Sequence, residues 1–332
     1  VMSDQVLITG GAGFIGFQLA TALQKDGYQV CLVDNYSRGT QDSHLRSLLE
    51  KDRVQFIQAD LLDPMQVADL GTDFSTIFHL AAIIGVQHVL RRPYEVITHN
   101  ARMLDNIVDL ARRQSHLSRL LFASTSEVYA GTLKHFQLEV PTPEISPLAL
   151  TSLSSPRTSY MLSKIVGEAM LHQSELPFTI FRPHNIFGPR MGMSHVIPEQ
   201  LRNAFHAEEG GVISIHSPGH RRAFCYIDDA VEMLIRMMRV PEAEGKTLNL
   251  GLESPEVTIR EVVETCVDVV GKQLILEDLP DTEGSPSRRA PDMTTSNRLI
   301  QFQASTSLRE GIQRTWQWYH DHVFTTGGVS AQ

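Results

Sequence analysis

Two reactive side chains stand one helical turn apart in the middle of the chain. Tyr160 precedes Lys164 by four residues, so a helix would place both on one face. We expect the ammonium of Lys164 to lower the pKa of the Tyr160 phenol. A phenolate could then take the proton of a hydroxyl group while a hydride leaves the same carbon. This spacing is common by chance, so the prediction of alcohol oxidation depends on what surrounds the pair.

A segment rich in hydroxyl groups follows the fifth predicted strand. Residues 124–127 read Ser-Thr-Ser-Glu and come at the carboxyl end of that strand, where open α/β sheets bind ligands. The hydroxyl of Thr125 is placed to share the substrate oxygen with Tyr160. Glu127 adds a candidate acid or base.

A glycine-rich turn follows the first predicted strand and opens the first predicted helix. Residues 10–16 place glycine at Gly10, Gly13 and Gly16. Glycine permits the tight turn and lets the backbone approach a pyrophosphate, which the free N–H groups of the helix start then bind. Asp34 ends the second predicted strand, where a carboxylate accepts hydrogen bonds from a ribose diol. The pattern predicts a dinucleotide site, and Asp34 favours NAD over NADP because it would repel a 2′-phosphate.

Two charged residues near this turn leave alternatives open. Arg38 weakens the preference for NAD, because an arginine can accept a 2′-phosphate. Asp60 ends the third predicted strand, and it either meets the adenine or is a solvated strand-end carboxylate.

Short apolar strands and longer helices alternate along the chain and would position these residues. The predicted strands lack the alternation typical of half-exposed strands, which indicates burial on both faces. They span residues 6–9, 30–34, 54–59, 76–80, 120–124, 177–182 and 247–251. Helical spacing marks residues 14–25, 94–113 and 307–320. The alternation predicts an α/β fold with a doubly wound parallel sheet of the Rossmann type and a smaller C-terminal substrate lobe.

The boundaries of these parts can also be predicted. Residues 129–155 are rich in Pro, Thr and Ser and are expected to form a loop. Ser155 is expected to cap a helix that begins with Pro156 and runs to about His172. Residues 1–188 would be mainly the NAD-binding domain and residues 189–332 mainly the substrate lobe, with residues 223–251 returning to the main domain.

Several motifs occur in the order and spacing of a known family. They lie at residues 10–16, 79–82, 100, 124–129, 160–164, 182–188, 221–229 and 289–292. Over nearly its whole length the chain therefore resembles the extended short-chain dehydrogenase/reductase family, which includes nucleotide-sugar epimerases, dehydratases and decarboxylases. The resemblance implies NAD as cofactor, Tyr160 as the base, Lys164 as a ribose ligand that tunes Tyr160, and Thr125 as their assistant.

The resemblance implies further ligand contacts. Asn185 matches the asparagine that holds the substrate diphosphate, and Arg222 and Arg289 match arginines that clamp phosphates. The alternative for each arginine is a surface salt bridge. The expected substrate site also includes Ser126 and Glu127. Besides the residues named above, the expected cofactor site includes Phe14, Ile15, Asn35, Leu61, Leu80, Ala81, Ala82, Asn100, Ser124 and Pro183.

Some positions depart from the family pattern or have a simpler explanation. Tyr129 is followed by Ala130 and Gly131, where glycine usually comes first. His184 replaces a common aromatic or apolar residue beside the nicotinamide, and we expect it to fill space rather than contact substrate. Asn100 lies on the apolar stripe of its helix, either as a satisfied buried amide or as a group that positions the cofactor.

The resemblance implies oxidation at C4 of a nucleotide sugar, and several reactions can follow it. Return of hydride to the other face gives a 4-epimer, loss of the C6 hydroxyl gives a 4-keto-6-deoxy sugar, and a C5 carboxylate can leave as CO2. We expect a 4-epimerase first. The alternatives are a 4,6-dehydratase or UDP-glucuronate-type decarboxylase, which Glu127 favours, and then a 4-dehydrogenase. A non-catalytic NAD-binding regulator would be expected to lack Tyr160, Lys164 or Thr125, and all three are present.

The bulk composition narrows the class of protein. The formal net charge of −9 over 332 residues argues against a nucleic-acid binder. Three scattered cysteines indicate a reducing compartment, and neither His nor Cys residues cluster, so we expect no metal. No apolar run is long enough to span a membrane and no signal-peptide pattern is present, so we expect a cytoplasmic protein. The helices at 94–113 and 158–172 match a family dimer interface, which predicts a homodimer.

Overall fold

A seven-stranded parallel sheet organises the chain, whose computed structural model describes residues 4–282 and 285–326. The strands of this sheet and of three smaller ones are β1 (Gln5–Thr9), β2 (Gln29–Asp34), β3 (Val54–Gln58), β4 (Thr76–His79), β5 (Arg119–Ala123), β6 (Phe178–Pro183), β7 (Ile186–Phe187), β8 (Val212–His216), β9 (Arg221–Arg222), β10 (Cys225–Tyr226), β11 (Lys246–Leu250), β12 (Val257–Thr258), β13 (Ile275–Leu279) and β14 (Arg288–Arg289). The large sheet has the order β11-β6-β5-β4-β1-β2-β3. The chain reverses its direction of winding between β1 and β4, and open α/β sheets bind ligands beside such a point.

Helices cover both faces of this sheet. They are α1 (Phe14–Lys25), α2 (Ser43–Leu49), α3 (Pro64–Ala68), α4 (Val86–Arg91), α5 (Pro93–Arg112), α6 (Ala130–His135), α7 (Thr158–His172), α8 (Val196–His206), α9 (Ile227–Arg239), α10 (Ile259–Val270), α11 (Thr294–Ile300) and α12 (Leu308–Tyr319). One core contains residues of α1 and α9, and the other contains residues of α5 and α7. This arrangement confirms the predicted doubly wound α/β fold.

The strands of the large sheet lie close to the predicted ones, with ends that differ by about one residue. Burial on both faces is confirmed for central strands such as β1, β2 and β4. It is wrong for β3, where no residue is fully buried. The reason is that β3 is the last strand of the sheet. It has β2 as a neighbour on one side and no strand on the other.

Local sequence signals explain several helix ends. The side chain of Thr258 accepts a hydrogen bond from the Glu261 N–H, and the Glu261 carboxylate accepts one from the Thr258 N–H, which forms a capping box before α10. Gly271 ends that helix in the left-handed conformation, which glycine adopts without strain. Ser307 caps α12, which confirms the predicted closing helix.

Two predictions for residues 129–158 are wrong. The expected loop contains α6, which is only six residues long and therefore leaves little periodic pattern. Ser155 is not the cap of α7, because the N–H groups of Thr158 and Ser159 donate to the carbonyls of Ser155 and Pro156 and form a turn first. The helix begins at Thr158.

The C-terminal part supplies a second, smaller packing unit. Strands β8 and β13 pair in parallel, and Ile213 and Ile215 of β8 pack against Val263 and Val267 of α10. The chain returns to the large sheet as β11, which pairs with β6. No helix in the described ranges is long and apolar enough to cross a membrane.

Candidate active site

The glycine turn lies beside Asp34. Gly10 adopts a φ of +70°, and a Cβ on Gly16 would lie 2.3 Å from the Gly10 carbonyl oxygen, so a side chain at residue 16 would clash with the turn. The Asp34 carboxylate accepts hydrogen bonds from the N–H groups of Ala12 (3.0 Å) and Tyr36 (2.8 Å). Burial raises the pKa of Asp34, and these backbone bonds oppose the rise. Bare backbone at a helix start beside a fixed carboxylate fits a dinucleotide.

We expect Gly16→Ala to weaken NAD binding, because the new methyl group forces the turn backbone to shift at a cost of roughly 1–3 kcal/mol. The measurement is the rise in melting temperature on adding NAD. Gly219→Ala is the matched control, since a Cβ there meets no atom within 4 Å. An unchanged NAD-dependent rise in the Gly16 variant would contradict the prediction.

The other predicted cofactor residues lie at the carboxyl ends of the strands of the large sheet or at the start of α1. Asp60 accepts a hydrogen bond from the Leu62 N–H (3.0 Å) and Asn35 accepts one from the Ser37 N–H (2.9 Å), so both stabilise turns after strands. Flanking them at the ends of strands or the start of α1 are Phe14, Ile15, Leu61, Leu80, Ala81, Ala82, Ser124 and Pro183.

Arg38 and Asn100 hold the loop that follows β4. Arg38 donates from Nη1 to the Ile84 carbonyl (3.1 Å). Asn100 accepts from the Ile83 N–H (2.7 Å) and donates to the Ile83 carbonyl and the Ser163 hydroxyl (each 3.1 Å). The structure thus favours the satisfied buried amide for Asn100, which ties α5 to this loop and to α7.

Tyr160, Thr125 and Lys164 come together between α7 and the end of β5. The Thr125 side chain is close enough to the Tyr160 hydroxyl to lower the pKa of that phenol. Lys164 is buried and donates from Nζ to the Ala123 carbonyl (2.7 Å). Burial lowers the pKa of Lys164 to about 7, and the charge of Glu168 opposes the fall.

The electrostatics of Tyr160 differ from the expectation. Burial and then the charge of Glu127 raise its pKa, whereas the hydrogen bond to Thr125 and the charge of Arg38 lower it. Lys164 is not among the groups that lower it, and its ammonium is bound to the carbonyl of Ala123 instead.

Four predicted substrate residues lie together, and one of them, Glu127, is near Tyr160. Arg289 forms an ion pair with Glu127 (Nη1–Oε1 2.9 Å) and approaches the Ser126 hydroxyl (3.5 Å). Arg222 on β9 is the register partner of Arg289 on β14, so two cations stand side by side. Burial and then the charge of Arg289 lower the pKa of Arg222 to about 10, and Glu127 opposes the fall. Like charges on neighbouring strands are unfavourable, and an anionic ligand would relieve their repulsion.

Asn185 lies next to this cluster in a left-handed conformation, with a φ of +43°. Its side-chain amide donates to the Ala223 carbonyl (3.1 Å), and its backbone carbonyl accepts from the Cys225 N–H (3.2 Å). These contacts place it beside the segment that carries Arg222.

A buried polar network behind the site escaped the sequence reasoning. Arg182 pairs with Glu168 and donates to the Tyr129 hydroxyl (2.7 Å), which donates to Asn249 Oδ1 (3.1 Å). His184 also bonds to Asn249 Oδ1 through Nε2 (3.1 Å), so it does more than the space filling we expected. One sequence signal could have found part of this network. Glu168 lies four residues after Lys164, so a helix places both on the face that also carries Tyr160.

The departure at residues 130–131 has a packing reason. A Cβ on Gly131 would lie 1.7 Å from the Ala149 carbonyl oxygen, so only glycine fits where α6 meets that segment. The glycine belongs at 131 in this chain because the backbone approach occurs there.

Comparison with known proteins identifies the family. The model of the NAD dependent epimerase/dehydratase family matches residues 6–251. The chain is 31% identical to a UDP-N-acetyl-alpha-D-glucosaminuronate decarboxylase of Bacillus cytotoxicus, over 96% of this chain and 99% of that protein. It is 29% identical to UDP-glucuronic acid decarboxylase 1 of Danio rerio, over 95% of this chain and 72% of that protein.

Solved structures share the fold at lower identity. The UDP-glucose 4-epimerase of Thermotoga maritima superimposes with a TM-score of 0.82 at 23% identity, covering 96% of this chain and 99% of that one. The UDP-glucuronic acid 4-epimerase of Bacillus cereus, solved with UDP-glucuronic acid and NAD, superimposes with a TM-score of 0.79 at 22% identity, covering the same shares. The chain belongs to the NAD-dependent epimerase/dehydratase family and is an enzyme of that family with NAD as its cofactor.

Proposed function

We propose that this enzyme removes the C5 carboxylate of a UDP-linked uronic acid as CO2 through a transient C4 ketone. Relatives that align over nearly the whole chain are named as decarboxylases of such sugars. The epimerases among the solved structures are less than 25% identical and support the fold alone. The relatives therefore favour decarboxylation over the 4-epimerase that the sequence analysis placed first.

The observation that carries the proposal is the ion pair of Glu127 with Arg289 beside Tyr160 and Thr125. A plain 4-epimerase needs only a base for the C4 hydroxyl, because hydride leaves and returns at the same carbon. Removal of CO2 also requires a proton for C5. Glu127 is half-exposed and near enough to raise the pKa of Tyr160, so it is placed to act on the carbon next to C4.

The proposed reaction combines reversible oxidation at C4 with loss of CO2 at C5. Tyr160, next to Thr125, takes the proton of the C4 hydroxyl. NAD, held by the glycine turn and Asp34, would supply the reversible acceptor for the hydride of C4. The electrons of the bond between C5 and its carboxylate pass to the C4 ketone as CO2 leaves. A proton from water, passed on by the half-exposed Glu127, then adds to C5, and Tyr160 returns its proton to the C4 oxygen when C4 is reduced again.

Arg222 and Arg289 would hold the anionic parts of the substrate. The two residues stand in register on neighbouring strands, where Arg222 donates to the Pro286 carbonyl (2.6 Å) and Arg289 pairs with Glu127. A guanidinium binds phosphate or carboxylate in a bidentate way. We assign to them the diphosphate together with Asn185, and we assign the reacting carboxylate to the side of Arg289 that faces Glu127.

The test is incubation with a panel of UDP-sugars followed by mass spectrometry. We expect UDP-glucuronate or its N-acetyl analogue to lose the mass of CO2, without stoichiometric accumulation of NADH. UDP-glucose, which has no carboxylate to lose, is the control substrate. An unchanged mass with an altered sugar would show epimerisation, loss of water would show dehydration, and lasting NADH would show net dehydrogenation.

We also propose that two copies associate through α5 and α7. The side of α7 away from the core carries apolar residues that remain partly accessible, among them Leu162, Ile165 and Val166. Partly accessible Ile97 and Ala101 lie on the neighbouring α5. Light scattering at micromolar concentration distinguishes a dimer from a monomer.

A further inference from the structure

Glu168 is a buried carboxylate that the proposed mechanism does not use. It lies on α7 one turn after Lys164, so Tyr160, Lys164 and Glu168 share one face of that helix. Its side chain is only 7% exposed. A carboxylate at this depth requires partners that replace its lost water.

The partners of Glu168 belong to the two strands that carry the site. Oε1 accepts hydrogen bonds from the Ser124 hydroxyl (2.5 Å) and from Arg182 Nε (2.9 Å), and Oε2 accepts one from Arg182 Nη2 (2.6 Å). Ser124 directly follows β5 and precedes Thr125, and Arg182 lies on β6. One carboxylate thus joins the end of β5, β6 and the helix that carries Tyr160.

Lys164 has few groups that could stabilise its charge. Its Nζ bonds to the Ala123 carbonyl on β5 and lies 4.8 Å from the centre of the Phe122 ring. His79 on β4 faces it, but burial and then the charge of Lys164 lower the pKa of that imidazole to about 3, so it is neutral near pH 7. Glu168 is the anion whose charge raises the pKa of Lys164.

We propose that Glu168 is a positioning residue that holds Thr125 and Tyr160 in register and keeps Lys164 an ammonium during turnover. The inference rests on the proposed function only in that Tyr160 and Lys164 serve the oxidation at C4. It does not depend on the loss of CO2.

The test is single-turnover reduction of the bound NAD, measured as NADH absorbance against pH with the UDP-sugars that reduce the wild-type enzyme. E168Q keeps the shape of the side chain and removes its charge. Since an anion near an ammonium raises its pKa, loss of the anion lowers the pKa of Lys164. The reduction rate should fall at high pH, where Lys164 loses its proton; this fall is the high-pH limb of the profile. We expect that limb to move to lower pH in E168Q by on the order of one unit. E168D keeps the charge and should leave the limb close to its wild-type position.

The variants keep the proposal testable when one does not fold. E168Q leaves Arg182 buried without its partner, which is strongly destabilising. If E168Q does not melt cooperatively, E168Q/R182Q is compared with R182Q, so that the two proteins differ only in the charge of residue 168. A folded variant whose limb stays at the wild-type pH, with an even loss of rate at every pH, would overturn the proposal. Since reduction precedes CO2 loss, a product that keeps its carboxylate would overturn the proposed decarboxylation alone.

Discussion

Tyr160→Phe should abolish turnover while NAD remains bound. The change removes the hydroxyl beside Thr125 and keeps the ring, so the site loses its proton acceptor but keeps the aromatic side chain. General-base catalysis contributes ~10²–10⁴-fold, and the loss of kcat should fall in that range. The measurement is kcat with the carboxylate-bearing substrate, beside the rise in melting temperature on adding NAD.

Tyr94→Phe is the matched control, because the Tyr94 side chain is among the most exposed large hydrophobic groups of the chain and lies outside the site. It should turn over like the wild type. If Tyr160→Phe retained near-normal turnover, another group would have to be the base, and the assignment of the Tyr160 and Lys164 pair would fail.

Glu127→Gln should separate decarboxylation from epimerisation. If Glu127 serves the chemistry at C5, turnover should fall on the order of 10²-fold while substrate still reduces the bound NAD. A C4-keto sugar and NADH would then accumulate together. In a plain 4-epimerase the same change should mainly raise KM, because Glu127 would contact substrate without moving a proton.

The Glu127 variant also makes a prediction about pH. The charge of Glu127 raises the pKa of Tyr160, so its removal lowers that pKa. A base with a lower pKa is deprotonated at lower pH. The reduction rate of the variant should therefore begin to rise at a lower pH than that of the wild type. Stopped-flow absorbance of NADH and product analysis measure both effects.

Glu139→Gln is the control for the Glu127 variant, since Glu139 is an exposed glutamate and the change removes the same charge outside the site. It should leave both the rate and the pH dependence unchanged. Full wild-type turnover of Glu127→Gln would eliminate an acid-base role and leave epimerisation or simple oxidation.

The sequence by itself determined the parts of the molecule that depend on neighbours along the chain. Helix α1 has the predicted bounds, because its start is set by the glycine turn and its length by the periodicity of its apolar residues. Asp34 lies where the end of β2 meets that turn. Tyr160 and Lys164 share a face because they are four residues apart on one helix, which the sequence shows without any tertiary contact.

Relations between distant segments required the tertiary structure. The edge position of β3 follows from the order of strands, which its own residues do not record. Arg222 and Arg289 matched family motifs separately, but their register across β9 and β14 exists only after the C-terminal segment folds back onto β9. Arg38, which the sequence offered as a possible acceptor of a 2′-phosphate, donates to the Ile84 carbonyl, and its charge lowers the pKa of Tyr160.

The same distinction explains the network that the sequence analysis missed. Glu168 has an informative spacing from Lys164, but its bonds to Ser124 and Arg182 join segments that are far apart in the chain. Local patterns report which face of an element is apolar, whereas buried polar groups take their partners from whichever elements pack against them. The sequence thus predicted the candidate reactive groups and determined their helix and strand positions, and packing decided which charges surround them.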